Sequence, residues 1–191
     1  ETKATQKELL AHADSSVATA ALKAKEDPLR PIYHLTTPAN WINDPNGPVF
    51  FEGNYHMFFQ HNPYCSEWGN MSWGHAVSKD LVHWKNLPIA LTPDPGSYDK
   101  DGVFSGCCVV DNGIPTIVYT GVDPEVQCIA RSRDGLLTWE KFAGNPVIGS
   151  RGARRSPGGA LHGTARLVGS EQPAQARLGI LADGVADEAV G

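Results

Sequence analysis

One carboxylate of the 191-residue chain stands in a local frame suited to nucleophilic attack. This is Asp44, within Trp41-Ile42-Asn43-Asp44-Pro45-Asn46-Gly47-Pro48, immediately before the apolar run Val49-Phe50-Phe51. Pro45 fixes its own φ and confines Asp44 to extended conformations, and Asn46-Gly47 supplies a tight turn, so Asp44 is expected to project from a strand end into open space. On turn statistics alone the same residues favour an ordinary Asx-turn, in which Asp44 only accepts hydrogen bonds from nearby backbone amides. Other chemistries find less support. His56, His61, His75 and His83 are scattered through strands and turns without the i, i+4 spacing of a helical metal pair, so no metal and no cofactor is expected. Cys65, Cys107, Cys108 and Cys128 show no Cys-x-x-Cys spacing and are read as buried, inert thiols in β-structure.

The elements that must hold Asp44 in place are strands. From Pro31 onward, short β-branched and aromatic runs such as Tyr55-His56-Met57-Phe58-Phe59 are separated by turn pairs such as Gly53-Asn54. The alternation returns in Cys107 to Val110, turns at Asp111-Asn112-Gly113 and continues through Thr116-Ile117-Val118-Tyr119. Residues 1–29, rich in Ala, Lys, Glu and Ser, carry Leu9, Leu10, Val17 and Leu22 at loosely helical spacing and are read as a leader, helical or disordered, outside the core.

An internal repeat organises the strands. Ala76-Val77-Ser78-Lys79-Asp80, followed by Trp84, reappears as Ala130-Arg131-Ser132-Arg133-Asp134, followed by Trp139. The offset of about 54 residues lies near the range of propeller blades, and the preceding hairpins match as well, so two successive four-stranded blades are expected. Two hairpins that merely share a turn chemistry are the alternative. Trp73, Trp84 and Trp139 are assigned to packing at repeat positions.

Composition narrows the partners. A formal net charge of -5 without a basic stripe argues against nucleic acid, and no uninterrupted apolar stretch is long enough to cross a bilayer. A neutral or weakly charged small molecule fits better. The first residues lack the basic-then-apolar layout of a secretory signal, and extracellular and cytoplasmic placements both stay open, as does the oligomeric state.

Residues 41–47 match, position by position, the Trp-Met/Ile-Asn-Asp-Pro-Asn-Gly signature of glycoside hydrolase family 32, the family of invertases, inulinases, levanases and plant fructan enzymes. The resemblance continues through Phe58-Phe59-Gln60-His61-Asn62-Pro63, Trp68-Gly69-Asn70-Met71-Ser72-Trp73-Gly74-His75 and Phe104-Ser105-Gly106, over roughly residues 30–148. It implies an all-β fold, a five-bladed β-propeller of which residues 30–148 would form about the first two blades. It also implies a retaining glycosidase acting on terminal β-D-fructofuranosyl units of sucrose or a fructan, with Asp44 as nucleophile. Asn43 and Gln60 resemble the family's polar contacts to sugar hydroxyls. Trp41 and Trp68 resemble the apolar wall beside the ring, and Phe104 with Ser105 the aromatic and hydroxyl pair of the third signature; core packing between blades is the other reading of the aromatics. Asp44 must be ionised to attack, and donors from Asn43 or its own turn are expected to support the charge.

Departures accompany the matches. Cys107-Cys108 follows the third signature, where the family usually has Ser or another small residue. The Arg-Asp-Pro motif of the transition-state aspartate and the Glu-Cys motif of the acid/base do not occur, and Arg133-Asp134-Gly135 is read as a blade turn. Residues 149–191, dominated by Ala, Gly and Arg, lack period-2 patterning and are read as an atypical, disordered or out-of-frame tail; Glu171 and Glu188 lie within it. A blade takes about 40 to 50 residues, so a partial propeller with uncovered faces and edges, prone to aggregation, is expected. Besides the hydrolase, a fructosyltransferase of the same family and a non-catalytic, truncated carbohydrate-binding fragment are carried as alternatives.

Overall fold

The computed structural model describes residues 4–149; the expected tail falls outside the described residues from Ser150 onward, and Glu171 and Glu188 with it. Helix α1 (Gln6–Ala24) precedes eight strands, β1 (Trp41–Phe51), β2 (Asn54–Asn62), β3 (Ser72–Ser78), β4 (Trp84–Leu91), β5 (Gly102–Asp111), β6 (Ile114–Val122), β7 (Val126–Arg131) and β8 (Glu140–Lys141). They form two four-stranded sheets, in the orders β1-β2-β3-β4 and β5-β6-β7-β8. Every pairing is antiparallel, so each sheet is a meander of the kind expected for a blade.

Local chemistry sets the turns. The first hairpin turns at Glu52-Gly53 (φ 47° and 78°), one residue earlier than the pair Gly53-Asn54 expected, because both central positions of such a turn need positive φ and Asn54 already starts β2. Asn112-Gly113 (φ 50° and 80°) does the same between β5 and β6. The repeated Ser and Asp act alike in both sheets. Ser78 Oγ donates to Asp80 Oδ1 and accepts from Leu81 N, while Ser132 Oγ donates to Asp134 Oδ1 and accepts from Leu136 N. These side chains satisfy turn amides that no ladder reaches.

The sheets share one core. Phe58, Trp73 and Leu91 of the first meet Val103, Ile117, Tyr119 and Cys128 of the second, with Leu136 and Trp139 completing the cluster. Phe58 and Trp139 meet edge to face at 5.5 Å between centroids, and Trp73 Nε1 donates to Phe104 O at 3.1 Å. Trp73 and Trp139 are buried packing residues, and half-buried Trp84 turns its Nε1 to Leu81 O. Cys108 and Cys128 are buried, but Cys107 is half-buried and Cys65 exposed, which corrects the reading of all four thiols as interior: Cys65 lies on the loop after β2, not on a strand.

The N-terminal segment, read as a leader outside the core, contains a docked helix. Thr5 and Glu8 form a capping box, and Ala13, Val17 and Ala21, at i, i+4 and i+8, make a buried stripe, of which Ala13 and Val17 cluster with Ile89 of β4. Strand β4 is the outer edge of its sheet, and α1 covers part of it: Ile89 N donates to Asp14 Oδ1 at 2.9 Å, and Gln6 Nε2 donates to Thr92 O at 3.1 Å. Burial pushes the Asp14 carboxyl up, against the lowering effect of the Ile89 amide. Val17→Asp would set an unpaired carboxylate into this contact. It is expected to cost about 1–3 kcal/mol and to promote self-association through the bared β4 edge. Thermal denaturation and size-exclusion chromatography read the two effects.

His56 Nδ1 and His75 Nε2 lie 2.9 Å apart, both rings buried, with Phe58 stacked on His75 at 4.2 Å. Burial, with a smaller contribution from His56, depresses His75 to about 3, and burial lowers His56 as well. Unfolded histidines take up protons near pH ~6.5, whereas this pair resists them, so stability holds above that pH and falls as pH drops toward about 3. For His75 the slope is about 1.4 kcal/mol per pH unit. Urea midpoints are therefore expected to fall between pH 7.5 and 5, and His75→Gln should flatten the profile.

Candidate functional site

The backbone presents Asp44 through an irregularity in the ladder. Ile42 pairs with His61 and Pro45 with Phe59, so Asn43 and Asp44 together oppose the single residue Gln60. This two-against-one count is a β-bulge, which kinks a strand and re-aims its side chains. A second shift, between Asn46 and Val49, follows at Gly47-Pro48. Asp44 thus stands at a bulge inside an 11-residue strand, which corrects the expectation of a strand end. Its side chain is nonetheless exposed, as the Pro45 restriction implied.

The partner strand does the same. Phe104 pairs with Thr120 and Gly106 with Tyr119, which leaves Ser105 as an extra residue in β5. Two bulges, one in the first strand of each sheet, bring Ser105 Oγ to donate to Asp44 Oδ2 at 2.7 Å. A carboxylate that accepts a short hydroxyl bond is held in one orientation. The expected donors, Asn43 or the local turn, are not the ones used: the bond comes from the other sheet, because the bulge points Asp44 across to β5. An Asx-turn on Asp44 is not formed.

Close approach of β1 and β5 depends on Gly47. At φ 45°, a Cβ there would come within 2.9 Å of Cys108 Cβ and backbone N. Only glycine tolerates both the positive φ and the contact. The Cys107-Cys108 pair, which departs from the family pattern, therefore lies where the two sheets press together.

Around this pair stand the other predicted residues. Gln60 is buried and its Nε2 donates to Val103 O at 2.9 Å, so it ties β2 to β5 directly beneath the bulge. Asn43 is exposed beside Asp44. Trp41 is half-buried, its N donating to Cys65 O at 3.1 Å and its carbonyl lying 2.7 Å from His61 Nδ1. A carbonyl can only accept, so His61 carries its proton on Nδ1; burial lowers its basicity. Trp68, 66% exposed, meets half-buried Phe104 edge to face at 6.2 Å between centroids. An oriented carboxylate, a hydroxyl and two aromatic edges can hold a polar ring with an electrophilic carbon. Two positioning residues that sequence reasoning did not assign lie within the family motifs, His61 and Asn62; their side chains serve mainly backbone groups of neighbouring loops, a role that residue type alone does not announce. Among the described residues no three His, Cys, Asp or Glu side chains group as metal ligands would. A separate cavity of about 350 Å³, lined by Val17, His61, His75, Asn86 and Ile89 among others, lies between α1 and the first sheet.

The levanase of Bacillus subtilis (strain 168) is 46% identical over 142 residues, which cover 68% of this chain and 20% of the levanase. The sucrose-6-phosphate hydrolase of Zymomonas mobilis is 50% identical over 116 residues, 56% of this chain and 22% of that enzyme. Among solved structures, a β-fructofuranosidase from Bombyx mori superposes with a TM-score of 0.66 at 37% identity, covering 75% of this chain and 31% of that one. A variant of the same silkworm enzyme is known in complex with sucrose. The chain spans about a fifth of the length of the two curated relatives. Its two sheets are two blades of a β-propeller. Residues 34–158 match the glycosyl hydrolases family 32 N-terminal domain, and the chain belongs to that family.

Proposed function

We propose that Asp44 is the nucleophile of a retaining β-fructofuranosidase that releases terminal β-D-fructofuranosyl units from sucrose or a fructan. The 2.7 Å bond from Ser105 to Asp44 carries this reading, since it orients an exposed carboxylate at a bulge and leaves Oδ1 free to attack. Attack on C2 of the fructosyl ring forms a C2–O bond to Asp44 as the bond to the leaving oxygen breaks, through an oxocarbenium-like transition state. The leaving oxygen takes a proton from a second carboxyl group, for which no described residue is assigned. Water then attacks C2 and gives a proton back to that second carboxyl group, while the C2–O bond to Asp44 breaks and restores its carboxylate.

Trp41 and Trp68, with Phe104, form the apolar wall beside the sugar in this reading, and Asn43 and Gln60 supply amides for its hydroxyls. The levanase, sucrose-6-phosphate hydrolase and β-fructofuranosidase relatives support the substrate class. Peptide mapping after reaction with an activated fructosyl donor tests the proposal. A fructosyl group on Asp44 is expected; one on a different residue overturns the assignment.

A further inference from the structure

We propose that Asn62 is the positioning residue that sets both tryptophans of the Asp44 site, acting through the loop between β2 and β3; this rests on the fructosidase reading of that site. Asn62 closes β2 and is 1% exposed. A buried side-chain amide must place two N–H groups and one carbonyl oxygen. Here all three go to the loop that follows. Nδ2 donates to Glu67 O at 2.8 Å and to Cys65 Sγ at 3.2 Å, and Oδ1 accepts from Tyr64 N at 3.0 Å.

Two of the three bonds lead to a wall residue. Glu67 directly precedes Trp68, so fixing its carbonyl fixes the backbone from which that ring springs. Cys65, held by its thiol, takes Trp41 N on its carbonyl at 3.1 Å. The far end of the loop is tied separately, through Val103 N donating to Met71 O at 2.8 Å. Trp68 itself is 66% exposed and meets Phe104 only by an edge, so its ring has little packing of its own to hold it. Its placement is a backbone property, and Asn62 sets the backbone. Without the amide, the loop would sample more conformations and the tryptophan would lose the ordering that makes an aromatic side chain an effective anchor.

The test is a double-mutant cycle on sucrose binding to the 191-residue chain, followed by ligand-observed NMR, with wild type, Asn62→Ala, Trp68→Ala and the double variant. Loss of one aromatic anchor corresponds to a dissociation constant raised about tenfold. Asn62→Ala is expected to show that rise, Trp68→Ala a similar one, and the double variant a rise well short of the product of the two, because only the share of Asn62 that acts through Trp41 remains once Trp68 is gone. The thermal midpoint should meanwhile fall by the same amount in both backgrounds, so stability and positioning separate. Asn62→Leu fills the volume of the side chain without its donors and acceptor and adds no charge; it carries the same cycle if the alanine variant does not fold. Wild-type affinity in the Asn62 variant, or a double variant weakened by the product of the two single effects, overturns the proposal. A wild-type chain that does not bind sucrose overturns the fructosidase reading and this inference together, a result distinct from either.

Discussion

Treated with β-D-fructofuranosyl fluoride, the purified chain is expected to take up one fructosyl group on Asp44, while it releases fructose from sucrose at least ~10²-fold more slowly than a fructosidase with its acid in place. The two donors differ only in the leaving group. Fluoride departs as an anion, so forming the C2–O bond to Asp44 needs no proton, and the oriented carboxylate suffices. The glucosyl oxygen of sucrose departs only with protonation, and the sequence contains neither the Arg-Asp-Pro nor the Glu-Cys motif of the family. Asp44→Ala should abolish the labelling, which mass spectrometry of the intact chain would read directly. Full turnover of sucrose that depends on Asp44 would mean that the chain holds a proton donor not recognised in its sequence.

Lys141→Met is expected to destabilise the chain by about 3–5 kcal/mol, the cost of stripping one partner from a buried ion pair. Asp99 is fully buried, and Lys141 Nζ donates to its Oδ2 at 2.6 Å. Tyr119 Oη donates to Oδ2 at 3.0 Å and Asp94 N to Oδ1 at 3.1 Å. Burial, and then the neighbouring Asp99 carboxylate, push the Tyr119 phenol far upward, so it stays a donor throughout the working pH range. Lys141 Nζ also donates to Thr92 O at 2.8 Å, just beyond β4. The lysine of the last strand thereby joins the second blade to the end of the first. Its removal leaves a carboxylate with two neutral donors in a site without solvent, and a large fraction of a domain's typical net stability is lost. Urea denaturation measures the change, and Asp99→Asn combined with Lys141→Met should recover much of it.

The local frame of Asp44 was legible in the sequence. Pro45 and Asn46-Gly47 announce a constrained Asp44, and the Ser-Asp-Trp repeat announces two like sheets, because both depend on neighbours within a few residues. The Asn112-Gly113 turn was readable for the same reason. Less was visible where the physics is non-local. The helix over Gln6–Ala24 shows only weak periodicity, and its docking depends on Ile89 presenting an apolar partner and an unpaired edge amide. Nothing about Lys141 or Asp99 as single residues marks them as a buried pair. Asn62 lies inside a motif of the family, yet two of its three bonds go to backbone atoms, which any sequence supplies, and the third to the thiol of Cys65.

By itself the sequence determined the types of strand and turn, the repeat, and the identity of Asp44 as the carboxylate held in a rigid frame. These follow from steric limits on φ and ψ and from the two-residue period of a strand, both of which act along the chain. Tertiary structure alone decided that Ser105, 61 residues away, supplies the bond to Asp44, that bulges in two strands aim the pair at each other, and that Gly47 lets the sheets come close enough. Those outcomes depend on how two sheets pack across a shared core, and distance in space between residues far apart in the chain is set only when that packing is complete.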